Sequence, residues 1–290
     1  AAASGKLYRT DPLTGSMTCP RQWRRCSVSV MTDVVANGRA VSPSATVRVF
    51  GMAYAVLAYA IGMAAMAGIV AFSFNVPVPR AVDVGPVGST GVALGIDVLL
   101  IALFGIQHSV MARPWFKRWL NRHVPEPLER ATYVLATALV IVPILFLWRP
   151  VPGELFSVSN EAARGILWGL AGCGWLIVVV STFLIDHFEL FGLRQAWTWL
   201  RGRLFETATF REWSLYRIVR HPMQLGVLIG LWATPDLTVS RVVFAGGFTV
   251  YVLIGLWHEE RALAAQFGDR YRDYQARVPF LIPGLKKQIR

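Results

Sequence analysis

Four stretches of this chain, residues 47–73, 91–112, 131–148 and 165–188, are nearly unbroken runs of apolar side chains. Each is close to the roughly 20 residues that a helix needs to cross a bilayer. Inside hydrocarbon every backbone N–H and C=O must find a partner within the protein, and a helix satisfies them without help from another segment. A fifth run, 238–257, is equally long, and a shorter one, 222–234, precedes it across the turn signal Thr234-Pro235-Asp236. That pair reads as a tight helical hairpin. The expected fold is all-α: a polytopic transmembrane helical bundle of five long spans plus one short hairpin helix, with a cytoplasmic C-terminal helix. Composition agrees, because 54% of residues are hydrophobic and only 16% are charged, outside the profile of a soluble domain.

The net charge of +12 would suggest nucleic acid on a soluble domain, but the chain has no basic reader motif, so no nucleic-acid partner is expected. Its basic residues lie between the apolar runs. Arg113, Lys117, Arg118, Arg122 and Arg130 follow the second run, and Arg194, Arg201, Arg203, Arg211, Arg217 and Arg220 follow the fourth, with seven more in the C-terminal tail. The alternate loops carry Arg80, then Arg149 and Arg164, then Arg241. The positive-inside rule puts the basic loops and both termini in the cytoplasm, which needs an even number of crossings, six with the short one. A bacterial inner membrane is the expected setting, and no obligate protein partner is evident.

Residues 1–45 differ in kind, with neither a helical nor a strand period and no apolar h-region of a secretory signal. They read as a disordered or non-native arm, with Met31 a candidate natural start. Residues 46–290 then form the integral-membrane domain. Cys19, Cys26 and Cys173 make no C-x-x-C pair, metal-ligand spacing or disulfide framework, so no metal site is expected. Cys173 reads as a packing residue within "GILWGLAGCG" (165–174), whose glycines let neighbouring helices approach closely.

Two polar clusters interrupt this apolar chain. In "RHPMQLG" (220–226), Pro222 suits the first position of a helix, His221 falls near its N-cap, and the N–H groups of Met223 to Leu225 would face a carboxylate or phosphate. Arg217 and Arg220 add cationic donors there. The same residues also suit an interfacial helix start with snorkelling arginines. In "LWHEERALAAQFGDRYRDY" (256–274) the chain leaves the bilayer at His258, Glu259 and Glu260, then looks helical, with Phe267, Tyr271 and Tyr274 spaced by four and three. Neighbouring helical residues point about 100° apart, so one glutamate can pair with an arginine while the other faces a ligand. Two solvated glutamates at a helix exit are the competing reading. S-adenosylmethionine would meet both clusters, with a carboxylate for the helix start and an ammonium and hydroxyls for a glutamate, but these residues alone do not single it out.

"RHPMQLG", "EERAL" and "FGDRYRDYQARVPFLIP" together resemble the C-terminal signature of the isoprenylcysteine carboxyl methyltransferase-like family of integral-membrane methyltransferases. Within that family, "FGIQHSVMARPWFKRW" (104–119) and "STFLIDHFELFGLRQ" (181–195) resemble the methanethiol S-methyltransferases. The resemblance covers about residues 47–283. It implies S-adenosylmethionine as methyl donor and methanethiol or a similarly small thiol as acceptor, giving dimethyl sulfide. The cofactor-binding part is about 162–283, with Arg220, His221, Pro222, Leu225, Gly226, Glu259, Glu260 and Tyr271 as binding residues. By the same resemblance Gly172 and Gly174 let the cofactor approach a helix backbone, although helix packing explains that pair equally well. Where many relatives carry Tyr, this chain has Gln224.

A thiol reacts through its thiolate, so a base is expected near the acceptor. His187 at the end of the fourth span is the preferred base, and His108 near the end of the second a pocket partner. Asp186 and His187 do not share a helix face and are not expected to form a dyad. Either histidine could instead bridge helices. Other acceptors in the superfamily are a prenylcysteine carboxylate or a phospholipid amine. A sterol-reductase-like enzyme using a nicotinamide cofactor and a transporter are the more distant classes.

Overall fold

A computed structural model describes residues 9–10, 17–18, 43–205 and 214–284. The chain divides into two units, Ala1–Val47 and Arg48–Arg290. In the first, β1 (Arg9–Thr10) pairs antiparallel with β2 (Met17–Thr18). Of the arm expected over residues 1–45, residues 43–45 are also described and Ala45 already opens the first helix; its expected disordered or non-native character otherwise lies outside the described residues.

The elements that follow are α1 (Ala45–Ser73), α2 (Thr90–Met111), α3 (Pro114–Leu120), a 3-10 turn (Glu126–Leu128), α4 (Glu129–Leu147), β3 (Glu154–Ser157), α5 (Glu161–Ile185), α6 (His187–Leu190), α7 (Leu193–Leu200), α8 (Pro222–Trp232), β4 (Asp236–Thr238), α9 (Val239–Phe267) and α10 (Asp269–Arg277). Five stretches are long and apolar enough to cross a membrane: α1, α2, α4 with its 3-10 lead-in, α5 and α9. This is an integral membrane protein built as a helical bundle. Large apolar side chains such as Phe50, Leu57, Leu99, Ile106, Ile166 and Leu176 point outward, as a bilayer rather than water requires.

Two local features depart from expectation. The short helix α8 has 11 residues, which at 1.5 Å per residue is about 16 Å, roughly half the apolar thickness of a bilayer. The chain then runs into β4, which pairs antiparallel with β3 through Ser157 and Asp236, so the bundle carries a small ladder that an all-α reading omits. Arg164 holds Asp236 with bonds of 2.7 and 2.8 Å, and this pairing keeps the Asp236 carboxyl below its usual range.

The second departure is that the span expected over 238–257 and the helical stretch expected after it form one continuous helix, α9, 29 residues long and ending only at Phe267. Arg261 to Gln266 are good helix formers, and the helix ends only at Gly268, whose φ of +59° glycine tolerates best. Glu259 and Glu260 therefore sit inside one helix, two turns before its end.

The main core joins α1, α2, α4 and α9 through Phe72, Leu100, Phe104, Ile144, Trp148, Phe244 and Phe248. Against it, α5 and α8 pack antiparallel with their backbones in contact. A Cβ placed on Gly174 would lie 2.5 Å from the Gly230 nitrogen and 2.7 Å from the Gly226 oxygen, and one on Gly226 would lie 3.0 Å from the Val178 nitrogen. Thr182, one turn beyond Val178, and Pro222, one turn before Gly226, are therefore at the same level of the bundle.

Candidate active site

At that level the two residues leading into α8 meet α9 and α10 around one carboxylate. Arg220 Nη1 donates to Glu260 Oε2, and His221 Nε2 lies 2.7 Å from Oε1. Tyr271 Oη donates to Oε1 at 2.7 Å and Gln275 Nε2 to Oε2 at 2.7 Å. A carboxylate can only accept, so the Nε2 of His221 carries a proton. Burial first, and then the Glu260 carboxylate, push the Tyr271 phenol up, which keeps it a donor. Arg220 and His221 are buried. The Arg220 backbone N–H donates to Pro279 at 2.9 Å, and its guanidinium lies 5.3 Å from the Phe280 ring centroid. The His221 ring meets the same phenylalanine at 5.2 Å. A buried ion pair of this kind holds only because further hydrogen bonds satisfy both partners.

Glu259 is treated differently. It is exposed and has no hydrogen-bond partner among the described residues. It neighbours Tyr216, whose phenol is pushed up by burial first and then by Glu259 and Tyr274. Three donors near this corner are also unused among the described residues. The buried Arg220 Nε–H has no partner among the described residues. At the start of α8, Leu225 N–H bonds to the His221 oxygen at 3.0 Å, so the first-turn groups left for a ligand are those of Met223 and Gln224, not Leu225. Leu225 packs instead with Val252, Leu256 and Leu281. Gly226 and Gly174 face each other, so the close approach they permit is helix to helix. Beside Gly172, by contrast, an added Cβ would meet nothing within 4 Å.

The two histidines occupy separate surroundings. His187 is buried, with Nδ1 2.8 Å from Thr182 Oγ1 and Nε2 2.8 Å from Tyr59 Oη. Phe183 stacks on it at 4.4 Å, and Phe188 and Phe191 close its sides at 5.4 and 4.8 Å. Burial lowers its pKa below the ordinary 6.5, against the smaller opposing pull of Asp186. Asp186, which ends α5 at a φ of +154°, turns away. It accepts from Glu189 N at 3.0 Å and pairs with Arg194, so no dyad with His187 forms. His108 lies on α2, with Nδ1 3.2 Å from Thr137 Oγ1 and its ring stacked on Phe104 at 5.3 Å and tilted against Tyr133 at 4.8 Å.

The profile of a family described as "NnrU protein" matches residues 98–283. Over 245 residues the chain is 44% identical to Methanethiol S-methyltransferase of Pseudomonas deceptionensis, covering 84% of this chain and 94% of the relative. Over 232 residues it is 45% identical to Methanethiol S-methyltransferase 2 of Bradyrhizobium diazoefficiens, covering 80% and 89%. The protein of that name from Mycobacterium tuberculosis is 42% identical over 230 residues, covering 79% and 94%. This chain belongs to the methanethiol S-methyltransferase family. No solved structure matches it.

Within this methanethiol S-methyltransferase fold, the matched profile takes in both histidines and every side chain around Glu260. Arg220, His221, Glu260 and Tyr271, which the sequence proposes as ligand contacts, are brought together by contact with one another. Gln275 is the partner that the sequence reading omits, although its spacing of four from Tyr271 places both on one helix face. Tyr59 and Thr182 are likewise omitted. Tyr59 lies 128 residues from His187 along the chain, and nothing in α1 marks it out.

Proposed function

We propose that this protein transfers a methyl group from S-adenosylmethionine to methanethiol, yielding dimethyl sulfide, in a bacterial inner membrane with the Glu260 cluster and both termini on the cytoplasmic side. The observation that carries the reading is the division between adjacent glutamates, one saturated by four donors and one left open beside unused N–H groups, in a chain whose relatives bear that enzyme name. The residues present suit the donor molecule. Glu259 would accept from its ammonium or ribose hydroxyls, and the N–H groups of Met223, Gln224 and Arg220 Nε would take its carboxylate. Arg220, His221, Tyr271 and Gln275 hold Glu260, which fixes α8, α9 and α10 around that position. The open side of Gly172 leaves room at α5. When bound, a sulfonium donor supplies a methyl carbon open to in-line attack.

The chain's own part at the acceptor end is to remove a proton. His187, kept neutral by burial, is the base, and its phenylalanine walls exclude water, so that a forming thiolate is not solvated. His108 borders the acceptor space as a wall residue. One observation favours a lipid acceptor such as a prenylcysteine carboxylate: an apolar cleft of about 550 Å³ between α2 and α9, lined by Ile101, Gly105, Val243, Gly247, Tyr251 and Ile254.

The test is incubation of the purified protein with methyl-labelled S-adenosylmethionine and methanethiol, followed by measurement of labelled dimethyl sulfide in the headspace. Protein-dependent label is the expected result. Donor binding without label would move the acceptor to the lipid class, and absence of donor binding would overturn the reading.

A further inference from the structure

Both ring nitrogens of His187 are engaged, and their partners fix where the protons lie. Thr182 has one hydroxyl proton and gives it to the Val179 carbonyl at 2.7 Å, which can only accept. At its contact with His187 Nδ1, 2.8 Å away, Thr182 therefore accepts, and Nδ1 carries the ring proton. In a neutral imidazole Nε2 is then bare, so the Tyr59 hydroxyl at 2.8 Å is the donor there. No thiol reaches Nε2 without displacing that hydroxyl. Tyr59 is also the more open member of the pair, half-buried on α1 where His187 is buried, and its ring is held edge-on by His187 and Phe191 at 5.7 and 5.9 Å.

We infer that Tyr59 is the residue that meets the acceptor thiol, its oxygen taking the sulfur-bound proton as its own proton passes to Nε2 of His187. This rests on the proposed methylation of a small thiol. In the balanced step the S–H bond breaks and its proton goes to Tyr59 Oη, while the Tyr59 O–H proton goes to His187. The sulfur pair forms the new bond to the methyl carbon, and the pair of the broken carbon–sulfur bond stays with the sulfonium donor. His187 is left as an imidazolium and returns its proton to water before the next turnover. The charged groups at this corner are Asp186, Glu189 and Arg194, which are paired with one another; none of them hydrogen-bonds the ring.

The test compares full-length wild type with Tyr59→Phe, which keeps the ring and removes the hydroxyl, using methanethiol and methaneselenol as acceptors. A selenol is already ionised at neutral pH, so it needs no base. With methanethiol the variant should lose about 100-fold or more in kcat, the usual contribution of a positioned base. With methaneselenol it should lose less than about fivefold, and calorimetry should show unchanged affinity for S-adenosylmethionine. The variant's methanethiol rate should also climb through the alkaline range as the thiol ionises in solution, while the wild-type rate levels off. An equal loss with both acceptors, or no loss with methanethiol, would overturn the relay. A wild type that forms neither dimethyl sulfide nor dimethyl selenide would instead overturn the methyl-transfer reading on which it rests.

Discussion

Around Glu260 four donors converge on one carboxylate, whereas around His187 a neutral ring is held by one hydroxyl at each nitrogen and walled by phenylalanines. The first surroundings stabilise a charge that is always present, and they tie three helices together through it. The second keep a charge away until a proton arrives. Binding and fold integrity should therefore depend on the Glu260 cluster, and the chemical step on the His187 pocket, although the two lie at one level of the bundle.

The largest effect is expected at the cluster. Glu260→Ala leaves Arg220 buried without its carboxylate and should cost about 3–5 kcal/mol of stability, read from unfolding in detergent; a wild-type midpoint would show that the cluster holds nothing together. Next comes His187→Ala, where kcat should fall about 100-fold or more with donor affinity retained. Glu259→Ala should reverse that pattern, weakening donor binding by the roughly 1.5–3 kcal/mol of a charge-assisted hydrogen bond with folding unchanged, as calorimetry and a melting curve would show together. His108→Ala should lower turnover by well under the roughly 100-fold expected of a base. A loss as large as that of His187→Ala would exchange their roles.

The smallest effect is on stability against pH. Because the folded pKa of His187 is lowered, the unfolded chain takes up the proton more readily below 6.5. The contribution is thus intact above that pH and declines as pH falls. Between about pH 8 and about pH 5, His187→Gln should lose less melting temperature than wild type. An identical pH slope in the two proteins would show that His187 titrates alike folded and unfolded.

Much of this was legible in the residues. The apolar runs place the first four long helices and the start of α9 to within a few residues, because a span admits no alternative structure, and Pro222 marks the start of α8 through its missing N–H. What escaped has physical reasons. The sequence reads the chain beyond residue 257 as helical but does not show it to be one helix with the span, because charge at Glu259 and Glu260 looks like an exit from the bilayer, whereas a helix continues through charged residues until a breaker such as Gly268. The β3–β4 ladder joins segments about 80 residues apart, and backbone pairing over such a distance leaves no local period. The sequence offered Arg220, His221 and Tyr271 as binding residues and let one glutamate pair with an arginine, but it did not show that all three meet one another, because a buried polar group calls for a partner without saying which one. Here the partner is Glu260. Tyr59 is invisible for the same reason, as its importance comes entirely from the histidine that α5 and α6 deliver to it.

The most direct test of this separation is a calorimetric titration of S-adenosylmethionine into Glu259→Ala and His187→Ala proteins side by side, each checked for folding. The expected result is weakened binding in the first and wild-type binding in the second. Wild-type binding to Glu259→Ala together with lost binding to His187→Ala would contradict the assignment of donor and acceptor ends.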